Sequence, residues 1–270
     1  MGLAIDLTGK TILVCGVARG GIGGATVRQI AKAGGTVIAL DKDQEAIDPT
    51  VEDVKALGGA IHSLVVDLYD SAACEAIMPT VFEKFGRIDG VVNVAGGTRP
   101  TEWMPLDLTP SESFRDTLQL NFGYVFTLCR DAAKEWIARE QGGALVNVSS
   151  VSSLASAPWH GPYGAAKSAI NSLTKTMANE WHEFGIRANS VLPGAVSSER
   201  VMTRVSTSNA IPGSETNFTE PVELANAIVF LLSDLASGIS GQSLTVDRSL
   251  STKFCGGARP SGRQSNTEKM

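Results

Sequence analysis

The chain has 270 residues, 43% hydrophobic and 19% charged, which suits one large globular domain with a filled core. Its 23 basic and 28 acidic side chains leave a net charge of −5 with no basic run, which excludes nucleic acid and anionic membrane as expected partners. No apolar run reaches the length of a membrane span, and the start of the chain has no basic stretch before an apolar one, so neither a membrane anchor nor a signal peptide is expected.

Cys15, Cys74, Cys129 and Cys255 lack metal-ligand spacing. They predict reduced thiols of a cytoplasmic protein and no metal site.

Lys10 to Cys15 predicts the first buried strand. Gly16-Val-Ala-Arg-Gly-Gly-Ile-Gly23 follows at once, and then an amphipathic helix through Ala33. Strand, glycine loop and helix in this order are the setting in which such a loop binds a dinucleotide. The glycines allow close backbone approach, and the helix start offers free N–H groups to a pyrophosphate. Gly16, Arg19, Gly21, Ile22 and Gly23 are the candidate contacts.

Thr36 to Leu40 predicts the second strand, ending at Asp41. An acid about 20 residues past the glycine loop can bind the adenosine ribose hydroxyls. A carboxylate there repels a 2′-phosphate, so NAD is favoured over NADP, although Arg19 and Lys42 lie close enough in sequence to oppose that choice.

Ile61 to Val66 predicts the third strand, ending at Asp67. Ser71 to Phe85 predicts a helix with Ser71 as its N-cap. Ile88 to Val92 predicts the fourth strand, running into Asn93-Val-Ala-Gly-Gly97. Ser111 to Arg139 reads as mostly helical, with Asn121 in its interior where Asn is a poor helix former. Ala144 to Val148 predicts the fifth strand, with Ser150 just beyond it.

A helix is expected from about Gly161 to Phe184, a sixth strand over Arg187 to Leu192, a helix over Pro221 to Ser233 and a seventh strand over Ser243 to Val246. Strands alternating with helices predict an α/β fold, a doubly wound parallel sheet in which ligands bind beyond the strands' carboxyl ends. Residues 1–251 form one Rossmann-type domain in this reading, with a substrate flap at about 197–220 and a flexible tail over 252–270.

Tyr163 and Lys167 are four apart on the predicted helix and share a face. A phenol titrates near ~10, and a neighbouring ammonium favours the phenolate, bringing it closer to a useful base. Ser150, at a strand end, can hold an alcohol or carbonyl oxygen beside that phenol.

Taken together, the glycine loop, Asn93-Val-Ala-Gly96, Asn121, Ser150, Tyr163-x-x-x-Lys167 and Pro193-Gly194 resemble the short-chain dehydrogenase/reductase family over roughly Leu7 to Asp247. The resemblance implies that Tyr163 is the acid/base and Lys167 its modulator and a ribose ligand. It also implies that Ser150 orients substrate and that Asn121 anchors a proton-relay water. Asp67 and Leu68 match the adenine contact, Asn93, Ala95 and Gly96 the turn beside the cofactor, and Pro193, Gly194, Val196 and Ser198 the region of the carboxamide.

Four departures stand out. The loop is Gly16-x4-Gly21-x-Gly23, one residue longer than the common spacing. Cys15 replaces a threonine, Val94 an asparagine, and Asp247-Arg-Ser replaces Asp-Gly-Gly near the end. The implied activity is a secondary alcohol dehydrogenase or ketoreductase in a homotetramer or dimer. The substrate pocket is expected to be walled by residues near Gly97–Trp103, Leu154–His160 and the flap after Pro193; Trp103, Trp159, Met202 and Phe218 there suggest an apolar cyclic or aromatic substrate, whereas His160 reads as a structural or surface residue. The rival expectations are a dihydrodiol dehydrogenase on the same fold and a dinucleotide-binding sensor without catalysis. The three-residue gap between Tyr163 and Lys167 argues against the enoyl-reductase branch.

Overall fold

A computed structural model describes residues 4–199, 201–202 and 218–252. Seven strands form one sheet in the order 3-2-1-4-5-6-7: β1 Thr11–Cys15, β2 Thr36–Asp41, β3 Ile61–Val65, β4 Gly90–Asn93, β5 Gly143–Val148, β6 Ile186–Pro193 and β7 Ser243–Val246. Every neighbouring pair is parallel.

Strand side chains alternate between faces, so a strand buried on both faces must be apolar throughout. In β1, Leu13 and Cys15 join one core cluster, and Ile12 and Val14 join the other. The first cluster packs under α3 (Ser71–Phe85), α5 (Tyr124–Ala138) and α6 (Gly161–Trp181), through residues such as Phe82, Tyr124 and Ile170. The second packs under α1 (Ile22–Lys32), α2 (Gln44–Ala56) and α7 (Pro221–Leu232), through Val27, Val54 and Ile228. Trp136 is fully buried, and its indole N–H donates to the Ile88 carbonyl at 2.7 Å, so its polar edge is satisfied inside the core.

Register brings the strand ends level. Cys15 pairs with Asn93, Asn93 with Asn147, and Asn147 with Ser190. The sheet order reverses between β1 and β4, which opens a crevice beyond their carboxyl ends. Burial pushes the Cys129 thiol up to about 12 and the Cys74 thiol up to about 11, which leaves both as unreactive packing groups.

Several expectations shift. Asp70, not Ser71, caps α3: its carboxylate accepts from the Ala72 and Ala73 N–H groups at 2.9 and 3.1 Å, and Ser71 is already the first helical residue. β4 begins at Gly90 rather than Ile88, and the helix after Tyr163 stays α only to Trp181 before tightening to a 3₁₀ turn over His182–Phe184. α2 was not anticipated; Pro49 lies in its interior. The Glu220 and Glu223 side chains form a reciprocal cap at the start of α7. Much of the expected flap (200 and 203–217) and the tail beyond 252 lie outside the described residues. Among the described residues no helix is long and apolar enough to cross a membrane.

Candidate active site

The glycine loop folds tightly against two strand ends. Gly16 N–H donates to Leu40 O at 2.7 Å, and Ala95 N–H donates to Cys15 O at 2.8 Å. Gly16 sits at φ +89°, and a Cβ there would lie 2.6 Å from the Ala95 nitrogen. At Gly23 an added Cβ would fall 1.7 Å from Gly16 O. Only glycine fits either position. α1 begins at the cap residue Gly21 with no side-chain cap and no acid in its first turn, so among the described residues its leading N–H groups have no capping side chain of their own.

Asp41 ends β2 beside this loop. One carboxylate oxygen accepts from Val17 N–H and the other from Lys42 N–H, both at 2.9 Å. Arg19 turns away from the loop: its guanidinium meets Asp53 of α2 at 2.7 and 3.0 Å. Asp67 is exposed and accepts from Tyr69 N–H at 3.0 Å, while Leu68 is buried and its carbonyl accepts from the Gln119 amide at 3.1 Å.

Asn93 faces the core rather than the crevice. Its amide N–H donates to Asn147 Oδ1 at 2.8 Å and to Cys129 Sγ at 3.4 Å, and its Oδ1 has no partner among the described residues. Gly96 passes directly over Asn121 and Lys167: a Cβ on it would lie 2.6 Å from Asn121 Oδ1 and 3.3 Å from Lys167 Nζ. The Ala95 carbonyl accepts from the buried Tyr124 hydroxyl at 2.8 Å.

A π turn over Gln119–Gly123 interrupts the long helix and carries Asn121. There the Asn121 amide clamps the Gly97 backbone from both sides, accepting its N–H at 2.7 Å and donating to its carbonyl at 3.0 Å. The unfavourable interior Asn thus marks a local widening of the helix, a feature frequent at functional sites.

Ser150 caps the 3₁₀ turn Val151–Ser153, its hydroxyl accepting from Ser152 N–H at 3.1 Å. Lys167 is buried, with its ammonium donating to Val148 O at 2.9 Å and lying 5.6 Å from the Tyr163 ring centroid. Loss of water around it pulls its pKa down from 10.5 to about 7. Ser149, by contrast, ties its hydroxyl to Lys167 O at 2.8 Å and so anchors α6 to the strand end.

These groups line one cavity of about 490 Å³, whose walls include Ile22, Val94, Gly96, Ser150, Tyr163, Lys167, Pro193, Gly194, Val196 and Ser198. Trp103, His160 and Val201 complete its apolar side. Asn121 supports the floor through Gly97, and Asp41 and Asp67 lie outside the lining.

Of the four large side chains named as candidate walls, Trp103 reaches this cavity; Trp159, Met202 and Phe218 are not among its described lining residues. His160 does reach it, stacked on Trp103 at 4.6 Å between centroids and tilted against Tyr163 at 5.9 Å. Its Nδ1 lies 2.8 Å from Pro158 O, an acceptor, so the proton of that hydrogen bond sits on Nδ1. Sequence reasoning missed this pairing because Trp103 and His160 sit in different loops, joined by the Met104 N–H to Trp159 O bond of 2.8 Å.

Leu154 lines a separate concavity of about 670 Å³ with Glu223, Asp247 and Arg248. There Arg248 and Ser249 take φ of +48° and +66°, and the Arg248 guanidinium pairs with Glu223 at 2.9 Å.

A family model described as Enoyl-(Acyl carrier protein) reductase matches residues 16–250. The chain is 32% identical to 2,5-dichloro-2,5-cyclohexadiene-1,4-diol dehydrogenase of Sphingobium indicum over 90% of this chain and 97% of that one. Among solved structures it resembles a short-chain type dehydrogenase/reductase from Mycobacterium ulcerans (TM-score 0.82, 29% identity, 92% of each chain). It also resembles a 7α-hydroxysteroid dehydrogenase complexed with NADH and 7-oxo glycochenodeoxycholic acid (TM-score 0.80, 28% identity, 90% of this chain and 94% of that one).

Proposed function

The chain belongs to the short-chain dehydrogenase/reductase family of oxidoreductases, and from that premise we propose that it interconverts a secondary alcohol and a ketone with NAD(H), on an apolar cyclic or aromatic substrate. The observation that carries this reading is the meeting of Tyr163, Lys167 and Ser150 in one cavity, with the Lys167 ammonium against the Tyr163 ring.

The residues present fit a dinucleotide. Among the described residues the α1 start has no capping side chain, Gly16 and Gly23 admit no Cβ, and Asp41 stands at the end of β2 where ribose hydroxyls would lie. Gly16, Gly21, Ile22 and Gly23 would hold the pyrophosphate. Asp67 and Leu68 would border the adenine, and Ala95, Gly96, Pro193, Gly194, Val196 and Ser198 the nicotinamide half. A bound nicotinamide supplies or accepts the hydride.

The chain's own groups handle the oxygen and its proton. Ser150 donates a hydrogen bond to the substrate oxygen and fixes its distance from Tyr163. In alcohol oxidation the Tyr163 phenolate takes the hydroxyl proton; in ketone reduction the phenol gives it back. Lys167 stabilises the phenolate by its charge and passes the proton on towards Asn121 and solvent.

The Trp103–His160 pair supplies a flat wall, which suits a ring substrate. The Sphingobium relative acts, by its name, on a cyclohexadiene diol, which favours a second reading in which the substrate is a ring diol. The family model's description points to acyl-carrier-protein chemistry; the three-residue gap from Tyr163 to Lys167 argues against enoyl reduction. The same reading includes a cytoplasmic homotetramer, assembled through exposed apolar groups such as Phe114 of α4 (Ser111–Leu118) and Phe126 of α5.

The test is a screen of the purified chain with NAD and a panel of cyclic secondary alcohols and diols, followed at 340 nm. At least one member should reduce NAD. Tight NADH binding with no turnover in either direction would leave the non-catalytic sensor in its place.

A further inference from the structure

The lengthened glycine loop is held from outside by α2. Thr50 donates its buried hydroxyl to Val17 O at 2.8 Å. Three residues on, Asp53 accepts both Nη2 and Nε of Arg19 at 2.7 and 3.0 Å, and Nη1 of Arg28 at 3.0 Å. Arg28 reaches back to Arg19 O at 3.2 and 3.3 Å. One carboxylate, 17% exposed, therefore serves two guanidiniums, the outer of which is 60% exposed. Lys42, the other cation beside the loop, lies 3.5 Å from Asp43.

This cluster stands next to the group that chooses the cofactor. Asp41 bonds Val17 N–H on the same loop, two residues before Arg19. A carboxylate at that place binds ribose hydroxyls, and an arginine near it accommodates a 2′-phosphate. The guanidinium fork matches carboxylate and phosphate equally well, so whichever group already holds it decides what else it can bind.

We propose that Asp53 is a specificity-determining residue: by occupying the fork of Arg19, with Arg28 bracing the pair, it withholds Arg19 from a 2′-phosphate, and so keeps the site selective for NAD over NADP. The proposal rests on the dinucleotide reading and deepens it. Asp41 supplies repulsion, and Asp53 removes the attraction that Arg19 would otherwise offer.

The test is fluorescence titration of the full chain with NADH and NADPH, read as the ratio of Kd for NADPH to Kd for NADH. Wild type should favour NADH. Asp53→Asn should lower the ratio at least tenfold, through tighter NADPH binding, and Asp53→Asn combined with Arg19→Gln should restore it. Because both variants lack the Asp53 carboxylate, a general loosening of the loop cancels between them.

An unchanged ratio in Asp53→Asn, or one that stays low in the double variant, would overturn the proposal while leaving cofactor binding intact. Arg28→Gln gives a second handle should Asp53→Asn not fold. With Arg19 alone to serve, Asp53 holds it at least as well, so the ratio stays at or above wild type, and a tenfold fall would refute the assignment. A wild type that prefers NADPH refutes it outright, and a wild type that binds neither removes the dinucleotide reading with it.

Discussion

Lys167 sets the charge of the site. Among the described residues its ammonium meets one carbonyl, Val148 O, and a ring face, and burial brings its pKa to about 7. The folded state therefore releases this proton about where a working enzyme operates, while the unfolded chain keeps it to 10.5. Between those values the unfolded state binds more protons, so this group makes stability rise with pH, by at most ~1.4 kcal/mol per pH unit for a single site. Below about 7 both states are protonated and the cost of burying the charge stands in full.

Lys167→Met removes the cost. Urea unfolding of the ligand-free protein should find the variant more stable than wild type at pH 7, with the gap closing towards pH 8.5. A variant less stable at pH 7, or a constant gap, would mean that the ammonium is not desolvated. Spacing made Tyr163, Lys167 and Ser150 legible in the sequence, because each depends on its own helix or strand end. His160 and Asp53 were not legible in their roles, because their partners Trp103 and Arg19 come from distant segments and meet only through packing.

At the level of elements, the central strands read clearly since they are buried on both faces, and their carboxyl ends border the cavity. The helix starts read less well. Adjacent capping residues, Asp70 and Ser71, compete on equal sequence terms, and geometry chose the carboxylate. Asp70→Ala should lower stability by ~1 kcal/mol in chemical denaturation, and Ser71→Ala by much less; the reverse order would return the cap to Ser71. α2 escaped notice because Pro49 breaks the usual helical signal, yet this helix, through Thr50 and Asp53, holds the glycine loop. Asn121 was singled out as an awkward helix residue, but the π turn that carries it and its grip on Gly97 are properties of two segments meeting.

Across the whole molecule, the parallel sheet does one thing for function: it sets Cys15, Asn93, Asn147 and Ser190 level, so that the loops after them meet over one cavity. That much follows from alternating strands and helices. The apolar wall of that cavity does not: its loops, around Trp103, His160 and Val201, are placed near it by position, but which side chains meet there carries no periodic signal.

The most direct test of the account compares wild type with Tyr163→Phe on a carbinol–ketone pair that wild type turns over, with NADH affinity measured alongside. The phenol oxygen is the only atom removed. We expect kcat to fall by ~10²–10⁴-fold, the range typical of a lost general acid/base, with NADH affinity within a few-fold of wild type. Near-normal kcat in Tyr163→Phe would contradict the account, because the proton would then have to move through some other group.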